Sequence, residues 1–285
     1  MLPAVSTEQA WGPVRDRPIH VWVQDLATVG ARLGLGAGTW QRLGGGEDCA
    51  AFGRGEVVLK LVPPPLAFCA DRDTELLRRL HRRLPVAVPE VLALERVDGW
   101  AAVLLTRLSG RMAKTDWPNL EHSQRQRVVE QLGEVMAGLH QLPLADTDPD
   151  ARSQRAGWRA RYSGEEGEFL DRWLPEERGA VLLHLDLTDE NVFIEAGRLT
   201  GILDFAGAST GDRAMELAAP GVFLVQGDHH LLRTMVRAAG LPDADPRERL
   251  AWHLLHPYSQ LPRDLALCNA GEVHGLDEAA ERIWG

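Results

Sequence analysis

The chain is short of lysine, cysteine and tyrosine. Of its 31 basic residues only Lys60 and Lys114 are lysines, and among 285 residues three are cysteine and two tyrosine. Cys49, Cys69 and Cys268 are odd in number and widely separated, with no C-x-x-C pair. This excludes a disulfide framework and the spacing of a zinc or dithiol site, and it points to a reducing cytoplasm. No run approaches the roughly 18 apolar residues of a membrane span. The N-terminal MLPAVSTEQAWGPVRDRP lacks the basic start and apolar stretch of a secretory leader. Neither membrane association nor secretion is expected. Nor is there an internal repeat, a low-complexity tract, or any feature demanding an obligate protein partner. Basic residues are outnumbered by 41 acidic ones, giving a formal charge of -10, which argues against nucleic acid as a partner.

What is present has the proportions of a globular protein: 45% hydrophobic and 25% charged residues, in a length that suits two lobes. Divided at Leu108, the first part carries 13 basic and 12 acidic residues and the remainder 18 and 29. Most of those carboxylates belong to a solvated surface, but their summed field favours cationic ligands.

Helical spacing predicts a leading helix over 21–35. The segment TWQRLGGGEDCAAFGRGEVVLKLV then reads as two strands around glycine-rich turns, with 57–62 a buried strand closed by Pro63, Pro64 and Pro65. In DRDTELLRRLHRRL, Leu76, Leu77, Leu80 and Leu84 share one helical face up to Pro85. WAAVLLTRL supplies another strand, and Ser109-Gly110 marks the boundary between lobes 1–108 and 109–285. Ser123 and Gln126 have capping-box spacing before a helix built on Val128, Leu132, Val135, Leu139 and Leu142. The stretch 146–177 carries no clear pattern. Short strands follow at VLLHLDL, NVFIE and LTGILDF, the last two turned by Ala196-Gly197, and helices occupy the rest from Gly211.

The chemistry concentrates in His184-Leu185-Asp186-Leu187-Thr188-Asp189-Glu190-Asn191, followed by Ile202-Leu203-Asp204-Phe205. Asp186, Asn191 and Asp204 sit at strand ends or in loops. Mg²⁺ takes hard oxygen ligands, few of them protein carboxylates, and leaves room for phosphates and water. Asn191 and Asp204 suit that ion, and Asp186 suits a substrate hydroxyl whose proton it accepts late in phosphoryl transfer. His184 reads as scaffold. Asp212 reads as a helix N-cap, and His229-His230 lack the spacing of a metal site.

H-x-D-x-x-x-x-N followed by I-x-D-F resembles the catalytic and metal loops of the protein-kinase-like superfamily. HLDLTDENVFIE with GILDFAGASTGDRAMEL is similar to the aminoglycoside phosphotransferases, and GLDEAAERIWG most resembles the hygromycin B 7''-O-kinases. Leu185 departs from the pattern, since many antibiotic kinases have glycine there. The resemblance implies an α+β fold with a small antiparallel-sheet N-lobe and a larger, mainly helical C-lobe. It implies an ATP- or GTP-dependent kinase that needs Mg²⁺ and phosphorylates a hydroxyl of a small, cationic acceptor. It assigns Lys60 to the nucleotide phosphates, paired with Glu75, or less favourably with Asp73. Gly44, Gly45 and Gly46 become the phosphate loop, although the spaced glycines of protein kinases are absent. Thr106 and Leu108 offer backbone groups to adenine, and Glu190 faces the substrate. Competing readings are a kinase of an amino alcohol, sugar or macrolide, a protein kinase, disfavoured by the missing A-P-E segment, and a catalytically silent nucleotide-binding module.

Overall fold

A computed structural model describes residues 2–43, 46–146 and 148–285. The chain divides into two compact units. One comprises the residues up to Arg83 with Val88–Leu108, the other Leu84–Ala87 with Ser109–Gly285.

The first unit is built on five antiparallel strands: β1 (Gln41–Arg42), β2 (Ala50–Arg54), β3 (Val57–Val62), β4 (Val91–Val97) and β5 (Trp100–Thr106), in the order β1-β2-β3-β5-β4. β5 is apolar along its length and buried on both faces from Trp100 to Leu105, as expected of a central strand. β4 was not anticipated, because its mixed exposure gives no clean period. The available signal was Asp98-Gly99, whose positive φ values of 52° and 83° turn β4 into β5, as Asp-Gly does in tight hairpins. Helix α1 (Ile19–Arg32) lays Trp22, Leu26 and Val29 against the sheet. Trp22 meets Phe52 and Trp100 at ring-centroid distances of 5.5 and 6.1 Å.

Helix α2 (Ala67–Leu80) starts earlier than the leucine pattern suggests and ends before Leu84. The chain leaves the helix at the C-cap His81, whose ψ is 121°, and turns on through Arg82 at a left-handed φ of 59°, before Pro85 is reached. Ala70, Asp73, Leu76, Leu77 and Leu80 form its buried face.

In the second unit the long helix α3 (His122–His140) is opened by a capping box made by Glu121 and Gln124, two residues upstream of the Ser123–Gln126 pair. It packs on α6 (His229–Ala238). A Cβ at Gly133 would lie 2.6 Å from Met235 O, so only glycine permits that approach. Between them come α4 (Ala151–Arg159) and α5 (Gly164–Trp173), which fill the patternless stretch. α7 (Pro246–Leu255), α8 (Leu261–Leu267) and α9 (Leu276–Trp284) complete the helices of seven residues or more.

Two small sheets complete the unit. One contains β6 (Arg111–Met112), β8 (Val192–Glu195) and β9 (Arg198–Ile202) in the order β6-β8-β9, with the β8–β9 turn at Ala196 and Gly197 at φ 50° and 68°. The other pairs β7 (Val181–Leu183) with β10 (Ser209–Gly211). Segment 84–87 belongs here because Ala87 bonds Thr200 O and Ile202 N–H at 3.2 and 3.0 Å. No described helix is long and apolar enough to cross a membrane.

Candidate active site

The loop His184–Asn191 runs from β7 into β8, and the loop Leu203–Ala208 runs from β9 into β10. The two are thus held at their ends by both small sheets. A direct bond joins them as well, since Leu203 N–H donates to Asn191 O at 3.0 Å. His184 is fully buried, its ring 4.4 Å from that of Phe205. Its Nε2 lies 3.1 Å from Leu203 O, while Nδ1 accepts the Asp186 N–H at 3.2 Å. One ring nitrogen donates and the other accepts, the pattern of a neutral imidazole. Burial lowers its pKa in the same sense. His184 is therefore a brace between the loops and not a base.

Asn191 turns its amide onto Asp186, with Nδ2 donating to Asp186 Oδ2 at 2.6 Å and to Asp186 O at 2.9 Å. This fixes the carboxylate and leaves the amide oxygen of Asn191 for another partner. Burial first, and then the charge of Asp204, push the Asp186 carboxyl up to about 7, against the lowering effect of the Asn191 bond. Asp204 takes a left-handed φ of 68°, a conformation open to Asp more than to most residues. The charge of Asp204 thus opposes ionisation of Asp186, an effect that a bound cation would relieve.

Leu185 is also left-handed, at φ 64°, a conformation that favours glycine. Its side chain is held in a buried cluster with Leu183, Met215, Trp252 and Leu255. Glu216, which sequence reasoning did not single out, secures its backbone. Its carboxylate accepts His184 N–H at 2.8 Å and Leu185 N–H at 2.9 Å. His140 Nε2 lies 3.6 Å from it, just beyond hydrogen-bonding distance. Burial works against the charge of Glu216, but His140, His184 and the Leu185 amide outweigh it and lower the pKa. Only its place in G-D-R-A-M-E-L, directly after the metal loop, could have marked it. Asp212 in the same segment caps Ala214 N–H at 3.0 Å, as the N-cap reading expects.

A cavity of about 70 Å³ opens beside Asp186, lined also by Leu185, Thr188, Phe223, His256 and Tyr258. Burial, followed by the charge of His253, lowers His256 to about 4. Asp264, also in the lining, is compensated by His253 Nε2 at 2.8 Å and Arg263 Nε at 2.7 Å.

The structure shows the present partners of several of the remaining candidates. Lys60 Nζ meets Asp73 Oδ2 at 3.5 Å, the pairing the sequence offered as the alternative to Glu75. Asp73 shares the buried face of α2, whereas Glu75 lies on its exposed side. Glu190 does not offer an uncompensated anion, because its Oε1 lies 2.6 Å from Lys114 Nζ at the surface. Thr106 has already committed its N–H to Glu90 O at 3.0 Å, and Arg107 its own to Glu56 O at 2.8 Å. In that stretch Leu108 holds the N–H with no backbone partner among the described residues. Of the glycines, Gly46 lies exposed in the β1–β2 connection, while Gly44 and Gly45 fall outside the described residues.

Among the described residues no three His, Cys, Asp or Glu side chains cluster as a metal site. A metal ion would depend on the two oxygens offered by Asn191 and Asp204, together with ligands from a substrate. That set of oxygen donors fits Mg²⁺.

The fold and loops have known counterparts. An aminoglycoside 3'-phosphotransferase from Streptomyces fradiae is 32% identical over 210 residues, covering 64% of this chain and 74% of that protein. The GDP and kanamycin complex of APH(2")-IIia matches with a TM-score of 0.69 at 18% identity, over 89% of this chain and 96% of that one. The macrolide 2'-phosphotransferase MphH from Brachybacterium faecium matches with a TM-score of 0.63 at 23% identity, over 93% and 98%. These solved structures share the two-lobed α+β architecture. The model of the phosphotransferase enzyme family matches residues 39–253, a span that includes Lys60, Asp186, Asn191, Asp204 and Glu216, and the chain belongs to that family.

Proposed function

We propose that this phosphotransferase moves the γ-phosphoryl group of ATP or GTP to a hydroxyl of an aminoglycoside, and so confers resistance to it. The observation that carries this reading is the bond from Asn191 Nδ2 to Asp186 Oδ2. It aims one carboxylate oxygen while the other remains for an acceptor hydroxyl in the adjoining cavity. Asp186 orients that hydroxyl and takes its proton as the bond to phosphorus forms. Glu216 keeps the loop amides of His184 and Leu185 fixed, so the carboxylate needs little reorganisation in the transition state. In the first unit Lys60, held by Asp73, presents a compact ammonium to the nucleotide phosphates. Gly46 and the Leu108 N–H serve as backbone contacts for the nucleotide. Asn191 and Asp204 would hold Mg²⁺, which neutralises developing phosphate charge when bound. The identity to the Streptomyces fradiae enzyme supports the acceptor class, and the odd number and wide spacing of Cys49, Cys69 and Cys268 accord with action in a reducing cytoplasm.

The test is nucleotide consumption across a panel of aminoglycosides, choline, neutral sugars and macrolides, with wild type and Asp186→Asn. An aminoglycoside-dependent rate is expected. Asp186→Asn should lower that rate about 10²–10⁴-fold while nucleotide affinity stays near wild type. Turnover confined to another acceptor class would refute the aminoglycoside assignment, and an undiminished Asp186→Asn would refute the assigned base.

A further inference from the structure

The cavity beside Asp186 is small. Its volume of about 70 Å³ lies well below the roughly 300–1,000 Å³ of sites that enclose a small molecule. An acceptor can therefore place only its reacting hydroxyl and the adjoining atoms inside, and the ring that carries the hydroxyl must rest on the rim. Tyr258 stands in that rim, lining the cavity yet 52% exposed. Gly207, in the loop of Asp204, makes room for it: a Cβ there would lie 3.1 Å from Tyr258 Oη and 3.5 Å from its Cε2. The phenol thus reaches that loop from the connection between α7 and α8.

The connection that carries this exposed ring is fixed along its length. Tyr258 N–H donates to His256 Nδ1 at 3.3 Å, and Tyr258 O accepts from Arg263 Nη2 at 3.1 Å. Arg263 in turn lies over the Phe223 ring, 5.3 Å from its centroid. At the α7 end, the last carbonyls of the helix, which have no partners within it, and those just beyond are taken by Arg161 and Tyr162. Arg161 donates to Leu255 O at 3.3 Å, His256 O at 3.0 Å and Pro257 O at 2.7 Å, and Tyr162 Oη donates to Leu254 O. Both residues come from the turn between α4 and α5, so the patternless stretch braces one wall of the cavity.

Charge is not what this wall offers an acceptor. Asp264 is fully buried and meets His253 Nε2, Arg263 Nε and Gln260 N–H at 2.8, 2.7 and 3.0 Å. Of the carboxylates in the lining that leaves Asp186, which the reacting hydroxyl uses. The rim itself presents the phenol. One face of a sugar or aminocyclitol ring carries C–H groups, and burying them against an aromatic surface is favourable.

We infer that Tyr258 is a specificity-determining residue, the platform on which one saturated ring of the acceptor stacks while its hydroxyl meets Asp186, and that Arg161 is the positioning residue that holds the platform in place. A platform fixed before binding spares the complex the cost of ordering it. The inference rests on the phosphotransferase reading above and adds to it how the acceptor ring is recognised.

The probes are kanamycin and hygromycin B, each titrated in steady-state kinetics of the full chain at saturating nucleotide, with nucleotide then titrated at saturating acceptor. Tyr258→Ala should raise the acceptor KM about tenfold and leave the nucleotide KM unchanged, while Tyr258→Phe, which keeps the ring, should stay close to wild type. Arg161→Ala should raise the acceptor KM about threefold, again without effect on the nucleotide KM. Arg161→Lys, which can still reach a carbonyl, should recover part of that loss. Melting temperatures close to wild type would show that the variants fold, and Tyr258, half-exposed, tests the platform even if Arg161→Ala does not. An acceptor KM unchanged in Tyr258→Ala, or raised equally in Tyr258→Phe, would overturn the platform. A parallel rise in the nucleotide KM of Arg161→Ala would overturn its positioning role. Turnover of neither probe would refute the aminoglycoside reading and the platform with it, whereas turnover to which Tyr258 is indifferent would overturn the platform alone.

Discussion

At single residues the geometry makes two sharp distinctions. Asp73 and Glu75 are two positions apart on one helix, yet Asp73 meets Lys60 from the buried face. Asp73→Asn should therefore lower kcat/KM for the nucleotide at least tenfold, while Glu75→Gln should stay near wild type in steady-state kinetics. The reverse order would restore the Glu75 pairing. Leu185 sets two effects against each other. Glycine there would relieve a left-handed strain of roughly 1–2 kcal/mol. It would also remove a side chain 1% exposed within the cluster of Leu183, Met215, Trp252 and Leu255, and deleting a buried leucine costs about 2–5 kcal/mol. Packing wins. Leu185→Gly should lower the unfolding free energy by about 2 kcal/mol in urea titration, and a more stable variant would show that strain dominates.

At the scale of elements, the close pairing of α3 with α6 depends on the missing side chain at Gly133. Alanine favours an isolated helix over glycine by about 1 kcal/mol. Here its Cβ would lie 2.6 Å from Met235 O and 2.7 Å from Ala238 Cβ. The neighbouring atoms belong to backbone and a short side chain, so they cannot swing aside, and overpacking of this kind costs about 1–3 kcal/mol. Gly133→Ala should therefore destabilise the protein in thermal or urea unfolding, the opposite sign from helix propensity. The apolar periodicity made α3 itself legible. Its capping box was misplaced because Ser123-Gln126 and Glu121-Gln124 both have usable side chains at the same spacing, and only the chain direction before the helix selects between them. β4 and β10 escaped sequence reading for a related reason. Half-exposed or three-residue strands have no hydrophobic period of their own and are defined by their partners.

For the whole molecule the consequence is acid sensitivity. His256 is held neutral by burial, with a pKa of about 4, against about 6.5 when unfolded. Between these values the unfolded chain binds a proton that the folded one does not, so stability is complete above about pH 6.5 and falls as pH drops towards 4. The shift amounts to about 3 kcal/mol. Glu216 and Asp264, whose pKa values are lowered, act further down: their contributions are present above the ordinary carboxylate range and are lost as pH falls through their folded values. Urea midpoints from pH 7.5 to 4.5 should fall steeply for wild type and less steeply for His256→Gln. Parallel curves would place the acid-labile group elsewhere.

The catalytic motif was legible in the sequence because its chemistry is local. His184, Asp186 and Asn191 lie within eight consecutive residues, Asp204 follows thirteen residues later, and alternating apolar runs mark the flanking strands. Lys60 stood out through the scarcity of lysine. Tertiary structure alone decided which groups those residues meet. The rotation of α2 on the sheet brought Asp73 to Lys60, and Lys114 met Glu190 from 76 residues away. Glu216 reached the loop across 31 and 32 residues. Such pairings depend on how buried faces pack and on which polar groups are left to be satisfied inside. No spacing along the chain records that.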